Sequence, residues 1–318
     1  MAVAFVIDGG LNDPPGTGTE LHAALPEVRA AYEQAADWTG VPVRRMLSWE
    51  LDRSAEYQQV GAIRQAALVF GVCDALAGLG VRPGVAAGMS RGAMVGAVLA
   101  GAVARRDLYG LLTRLREVPE PAGPAQGVAQ LFVPPGVDPA EFVGGFPEDV
   151  YIAGDIGPVA GGAAYLVLLS GYQDALRKLA GQMADKTALR IPPDVTTAFH
   201  SPLRQHVRDF QEPYLAAMTF RDPGIPLCGG LDSGTYTSAE QVRGLFRRNH
   251  TEAINLPVLL GALRAADTEV VLLIGPGLVQ IWRGVAGCPV VHVEGPGDLA
   301  EALDVVREVG VGVGSGSG

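Results

Sequence analysis

Gly88-Met-Ser-Arg-Gly92 sets a serine between two glycines in the pattern G-x-S-x-G. Its surroundings suit nucleophilic chemistry. Val81–Ala87 reads as a buried strand and Ala93–Val103 as a helix of small residues, so Ser90 falls on a sharp strand-to-helix turn. Such a turn lifts a hydroxyl clear of the backbone, and the glycines leave room for the bend and the close helix. The N–H after the serine and the N-terminal end of the helix then face a developing oxyanion. The bland alternative is a glycine turn with a helix-capping serine.

An oxyanion needs a second donor, and Gly9-Gly10 after the first strand is the natural source, since backbone amides on a glycine loop can approach a ligand closely. An ordinary strand-end turn explains the same pair equally well. The serine also needs a base. Five histidines compete: His22, His200, His206, His250 and His292. His22 and His206 lie in polar helical stretches and read as surface residues. His292 lies in an apolar run and reads as a satisfied core residue. His200 lies in Ala198-Phe-His-Ser-Pro202, at a junction between two differently patterned parts of the chain, and such junctions border clefts.

Stepping out from these residues, Ala2–Ile7 is an apolar, β-branched strand ended by Gly9-Gly10. Leu21–Trp38 has helical spacing up to Gly40, and Val60–Leu79 is an apolar helix closed by Gly80. A helix over Asp107–Glu117 precedes Pro119-Glu-Pro-Ala-Gly-Pro124, the best boundary in the chain. Beyond it come strands at Val128–Val133, Val150–Ala153, Tyr165–Leu169 and Ala188–Ile191, with helices at Pro139–Gly145 and Tyr172–Lys186. This β-α-β-β-α-β order suggests a small ferredoxin-like unit. Buried strands return at Glu269–Ile274, before Gly-Pro-Gly277, and at Pro289–Val293. The expected division is a discontinuous large α/β domain over 1–125 and 198–308, an inserted small domain over 126–197, and a flexible tail over 309–318.

Composition narrows the partners. The 318 residues are 48% hydrophobic and 18% charged, enough for a sizeable core, and the net charge of −10 argues against a nucleic-acid binder. The apolar run Ala93–Val103 is too short to span a bilayer, and the N-terminus lacks the basic flank of a signal peptide. No membrane partner is expected. Cys73, Cys228 and Cys288 have no metal-ligand spacing and are odd in number, which fits a cytoplasmic protein without bound metal.

The order of features resembles the malonyl-CoA:acyl-carrier-protein transacylases and the acyltransferase domains of polyketide synthases. The matching pieces are Ala4-Phe-Val-Ile-Asp-Gly-Gly10, Gln65-Ala-Ala-Leu68, Gly88-Met-Ser-Arg-Gly92, Ala198-Phe-His-Ser-Pro202 and Ile274-Gly-Pro-Gly277. The resemblance implies an α/β fold with an α/β-hydrolase-like, parallel-sheet large domain. It makes Ser90 the nucleophile and His200 the base, with the N–H groups of Gly10 and Arg91 forming the oxyanion hole. It orients His200 by a backbone carbonyl, which the alignment of Phe246-Arg-Arg-Asn249 puts near Arg248. No bound cofactor is implied; the acyl group would arrive on coenzyme A or phosphopantetheine as a thioester.

The departures from that family carry the specificity argument. The family's G-H-S-[LQ]-G-E has Met89, Arg91 and Ala93 here in place of His, Leu or Gln, and Glu. The arginine that holds a malonyl carboxylate falls on Leu115, flanked by Arg114 and Arg116. A leucine cannot bind a carboxylate, so an acyl group other than malonyl is expected, a monocarboxylic or unusual polar chain, in a pocket bordered by Met89, Arg91, Leu115 and Phe199. Arg91 either binds a carboxylate or polar acyl group from a different direction or faces solvent and contributes only its N–H. The small residues of Gly157–Ala164 suggest added room. The partner is an acyl carrier protein, contacted through Arg204, Arg208 or Arg247; Arg248 and Arg105-Arg106 form further basic clusters. A freestanding acyltransferase of polyketide-type metabolism is the leading expectation. An editing acyl hydrolase of the same fold and a non-catalytic carrier-docking protein are the alternatives.

Overall fold

The computed structural model describes residues 2–9, 14–50, 55–119, 121, 123–185, 187–193, 195–232 and 234–310, with 55–58 described by backbone alone. The sequence expectations for Gly10 and for 311–318 lie outside the described residues.

The chain opens with β1 (Ala2–Ile7), buried from Val3 onward. Two helices follow, α1 (Thr19–Ala24) and α2 (Pro26–Thr39), where the spacing predicts one helix. Pro26 makes the break: it has no N–H to continue α1, yet it fits the first position of α2, where that donor is not needed. After α3 (Val43–Met46) comes α4 (Ala55–Gly78). Its Gln59–Gly78 stretch is long and apolar enough to cross a bilayer, but it runs through the interior, with Ile63, Ala66, Leu68 and Leu76 fully buried. The strand β2 (Val85–Gly88), the helix α5 (Arg91–Leu99) and α6 (Arg105–Arg114) complete this half, and a single 3-10 turn, Leu115–Glu117, ends α6.

The next segment holds β3 (Gln126–Val133), α7 (Pro139–Val143), β4 (Val150–Val159), β5 (Ala164–Tyr172), α8 (Gln173–Gln182) and β6 (Leu189–Arg190), the order expected from sequence. The remaining elements are α9 (Gln205–Ala217), β7 (Leu227–Gly229), β8 (Thr235–Tyr236), α10 (Ala239–Arg248), β9 (Ile254–Asn255), α11 (Leu256–Ala265), β10 (Thr268–Ile274), α12 (Val279–Val285), β11 (Val290–Val293) and α13 (Asp298–Glu308).

Among the described residues the strands form two sheets. The larger runs β11-β10-β1-β2-β7-β8, parallel except for the last pair. The smaller runs β6-β3-β5-β4-β9 and is antiparallel except where β9 joins β4. Strand β9 belongs in sequence to the later half of the chain, so it ties the two sheets together. Side-chain alternation along β5 does the same: Leu166 and Leu168 enter the large core, while Val167 and Leu169 join α8 residues Leu176 and Leu179 in the small one.

The elbow after β2 depends on close backbone packing. A methyl group added at Gly92 would lie 2.1 Å from the Ile7 carbonyl oxygen, and one at Gly88 would lie 2.4 Å from the Gly92 carbonyl carbon. Both glycines of the serine motif are therefore dictated by contact between α5, β1 and β2. Gly110, on α6, has open space around its Cβ position. Gly92→Ala should lower the melting temperature and reduce reaction at Ser90, whereas Gly110→Ala should raise stability by about 0.5–1 kcal/mol through reduced unfolded-state entropy. Thermal melts of the two variants check the contrast; equal effects would remove the packing argument.

Candidate active site

Ser90 sits between β2 and α5 with φ 53° and ψ −129°, a backbone region that side chains other than glycine rarely adopt. Its Oγ lies 2.8 Å from Nε2 of His200, a residue 110 positions later. The other ring nitrogen, Nδ1, lies 3.2 Å from the carbonyl oxygen of Glu252. A carbonyl only accepts, so Nδ1 carries the proton, and Nε2 offers its lone pair to the Ser90 hydroxyl. His200 is buried, and burial pulls its pKa down from 6.5 to about 4, against smaller upward pulls from the backbone at Glu252 and Asn249. The imidazole is thus neutral, the form a base requires.

The position of the imidazole is set by the small sheet. The Ser170 hydroxyl, on β5 and fully buried, donates to the carbonyl of Phe199. Gln126, on β3, accepts from the amide of Ala198 at 3.4 Å, and the Ser201 hydroxyl donates to the Ala198 carbonyl at 2.8 Å. His200 itself has φ 53°. Glu252 is held from the other side, because β9 begins two residues later and pairs with Gly154 and Asp155 of β4.

The carbonyl facing His200 corrects the expectation for Arg248. The Arg248 carbonyl accepts the amides of Thr251 and Glu252 at 3.0 and 3.1 Å, closing the turn after α10. The chain doubles back there, and the carbonyls that reach the imidazole are those of Glu252, at 3.2 Å, and Asn249, next to Arg248. The Arg248 side chain pairs with Asp232 and Glu252.

On the oxyanion side, a methyl placed on Gly9 would lie 3.2 Å from Ser90 Cβ, so the β1 turn stands directly against the elbow. Asp8 locks that turn. Its carboxylate accepts the amides of Gly9 at 2.7 Å and Leu278 at 2.8 Å, and it also bonds the Trp282 side chain. Burial raises the Asp8 pKa, and these hydrogen bonds oppose the rise. Arg91 opens α5, and its Nε donates to Gln65 Oε1 at 2.7 Å.

With this geometry in place the chain can be set beside known proteins. No protein-family model matches it. It is 28% identical to the polyketide synthase GfsA of Streptomyces halstedii over an alignment of 333 positions covering 98% of this chain, and it spans 4% of that synthase's length. It is 22% identical to the malonyl CoA-acyl carrier protein transacylase of Bacillus subtilis, over 87% of each chain. Among solved structures, the malonyl-transacylase PlMCAT, in complex with the acyl-carrier protein AntF of a type II polyketide synthase, superposes with a TM-score of 0.84 at 17% identity, over 96% of this chain and all of that one. The fold is that of the malonyl-CoA:acyl-carrier-protein transacylases.

Within this transacylase fold, the other expected residues fall as follows. Met89 is buried and packs in the large core. Leu115 and Phe199 are half-buried, and Leu115 packs against the large core. Arg114 is turned to Glu117 at 3.0 Å and lies over the Tyr214 ring, while Arg116 is exposed. Gly157–Ala164 forms the end of β4, the start of β5 and the largely exposed turn between them. Arg247 pairs with Glu212 at 2.8 Å, Arg204 is half-buried, and Arg208 has no ion-pair partner among the described residues. Arg105 grips Asp74 with both terminal nitrogens and covers Phe70, a structural role. His22 packs edge-on to Tyr32 and is half-buried, as is His206, so neither is a plain surface residue. His292 is half-buried, not a core residue; its Nε2 meets the Gly275 carbonyl at 2.8 Å and its Nδ1 lies 3.6 Å from Glu294.

Sequence reasoning did not single out Glu252, Ser170, Gln126 or the side chain of Asp8. A carboxylate ending an otherwise apolar strand and a glutamine inside an apolar helical run were the readable signals for Asp8 and Gln65.

The low pKa of His200 gives a pH prediction. The rate constant for acylation of Ser90 should hold steady as pH falls through 6.5 and lose half its value only near pH 4. Stability follows the same sign: between 6.5 and about 4 the unfolded chain takes up a proton at this residue that the folded one does not, so stability present above 6.5 declines as pH falls toward 4. A rate profile with its midpoint at 6.5 would contradict the burial argument.

Proposed function

We propose that the protein is an acyltransferase that carries an acyl group from a thioester donor to an acyl carrier protein through an ester on Ser90. The observation that carries this reading is the Ser90–His200–Glu252 line: hydroxyl, neutral imidazole and main-chain carbonyl, in hydrogen-bond sequence on a strained elbow. The similarity to carrier-protein transacylases and to a polyketide synthase supports the reaction class.

His200 Nε2 takes the proton of Ser90 as Oγ attacks the thioester carbonyl. The resulting oxyanion is met by the amides of Gly10 and Arg91. Collapse of the tetrahedral adduct breaks the C–S bond, and the departing thiolate takes the proton from His200. The thiol of a phosphopantetheine arm on the carrier then attacks the acyl-Ser90 ester in the reverse sense. Coenzyme A or phosphopantetheine serves as the carrier of the acyl group, and the chemistry calls on no other cofactor. Arg208, beside the base-bearing loop, is the arginine best placed for an acidic carrier protein.

The acyl group is read as one other than malonyl. Leu115 offers no charge to a free carboxylate, and its neighbours do not replace it: Arg114 is engaged with Glu117 and Tyr214, and Arg116 is exposed. Burying an unpaired substrate carboxylate against leucine costs several kcal/mol.

Intact-mass measurement after exposure to acetyl-, butyryl-, malonyl- and methylmalonyl-coenzyme A tests the proposal. A mass gain for the monocarboxylic acyl groups is expected in the wild type and absent in Ser90→Ala. His200→Ala should slow its formation by about 10²–10⁴-fold. Adding a holo acyl carrier protein should yield acyl-carrier; free acid instead identifies an editing hydrolase. A gain from malonyl alone would overturn the reading of Leu115, and no gain from any donor would favour a docking protein without catalysis.

A further inference from the structure

Gln65 lies on α4, far in sequence from both β1 and the elbow, and its side chain is fully buried. Its Nε2 donates to the main-chain carbonyl of Asp8 at 2.9 Å, and its Oε1 accepts from Arg91 Nε at 2.7 Å. The two partners fix the amide's orientation, because the carbonyl can only accept and the guanidinium can only donate. The bond to the Asp8 carbonyl is buried, so leaving it unmade would strand a buried carbonyl and a buried amide N–H.

These two partners stand on the two walls of the site. Asp8 precedes Gly9, whose Cα faces Ser90, and one oxyanion amide is assigned above to Gly10, the residue that follows. Arg91 follows Ser90 and carries the other amide. One buried side chain, on a helix whose neighbouring residues Ile63, Ala66, Ala67 and Leu68 are fully buried, therefore spans the β1 turn and the elbow. The Asp8 carboxylate pins the same turn from the opposite side, at Leu278 and Trp282.

We propose that Gln65 is a positioning residue that sets the separation between the two walls of the oxyanion hole. This inference rests on the acyl-Ser90 reading above. Two amides aimed at one oxygen stabilise it only if both reach it at hydrogen-bond distance, and an error of a fraction of an ångström in either wall removes much of the benefit. A strut of this kind acts in the transition state and not on the bound thioester. Its loss should lower the chemical rate and leave the Michaelis constant nearly unchanged.

The test uses the intact protein and p-nitrophenyl acetate, whose nitrophenolate burst reports separately the number of competent sites and the rate at which they react. Gln65→Leu should keep the burst amplitude and lower the burst rate constant about tenfold or more, with the Michaelis constant moving by less than about threefold. Gln65→Glu retains an acceptor for Arg91 but meets the Asp8 carbonyl with a second acceptor, so it too should be slow. Arg91→Met cuts the same strut from the half-buried side and serves if the core variants fail to fold. Because both changes break one connection, the double variant should be little slower than the slower single one. A loss of amplitude at unchanged rate, or rate effects that multiply, would assign Gln65 a merely structural role and overturn the inference. A wild-type burst with unaltered variants overturns it alone; a wild type with no burst overturns the acyl-enzyme reading and this inference with it.

Discussion

A single 2.8 Å hydrogen bond, between a serine hydroxyl and an imidazole 110 residues apart, organises this molecule. Both residues have positive φ, and such backbone costs about 1–3 kcal/mol each unless the surroundings hold it in place. The surroundings do so by different means. At Ser90 the holding is steric: two glycines let α5 sit against β1 and β2 with no spare volume, so the turn has nowhere to relax. At His200 it is polar: Ser170, Gln126 and Ser201 fasten the main chain of Ala198 and Phe199, just before the ring. Asp149, Ala160 and Asp267 share the positive φ, but at Ser90 and His200 it falls on the two residues whose side chains meet.

The two sheets divide this work. The parallel sheet delivers the hydroxyl at the carboxyl end of β2, next to the carboxyl end of β1, where open α/β sheets form their crevices. The antiparallel sheet delivers the imidazole and the carbonyl that orients it. Strand β9 is only two residues long, yet its pairing with β4 links the Glu252 turn to the inserted unit. The small unit is thus part of the site, and relative motion of the two sheets would alter the His200 geometry from both sides at once.

A second theme is buried polarity placed where backbone must be exact in position. Asp8, Gln65, Gln126 and Ser170 are all buried, and each bonds main-chain groups beside the site. Apolar packing resists compression but does little to prevent sliding, whereas a hydrogen bond to a main-chain group fixes direction as well as distance. The cost of burying these groups is offset only while every bond is made, so the network favours one arrangement of the loops over near alternatives.

The sequence by itself determined the Ser90 elbow, the β-α-β-β-α-β insert and the location of the apolar strands, because these follow from local pattern: glycine spacing, alternation and runs of small or β-branched residues. The Ala-Phe-His-Ser stretch singled out His200 only through resemblance; pattern alone left five histidines in contention. Local reading also failed where one residue overrode a pattern, as Pro26 did within the spacing of a single helix. The carbonyls that face His200 were decided by a turn closed on Arg248, which leaves Asn249 and Glu252 to meet the ring, and nothing local marks which main-chain oxygen will point inward. Likewise the roles of Asp8 and Gln65 arise from contacts across 57 and 270 positions. Only the tertiary structure, by bringing distant backbone to buried polar side chains, could assign them.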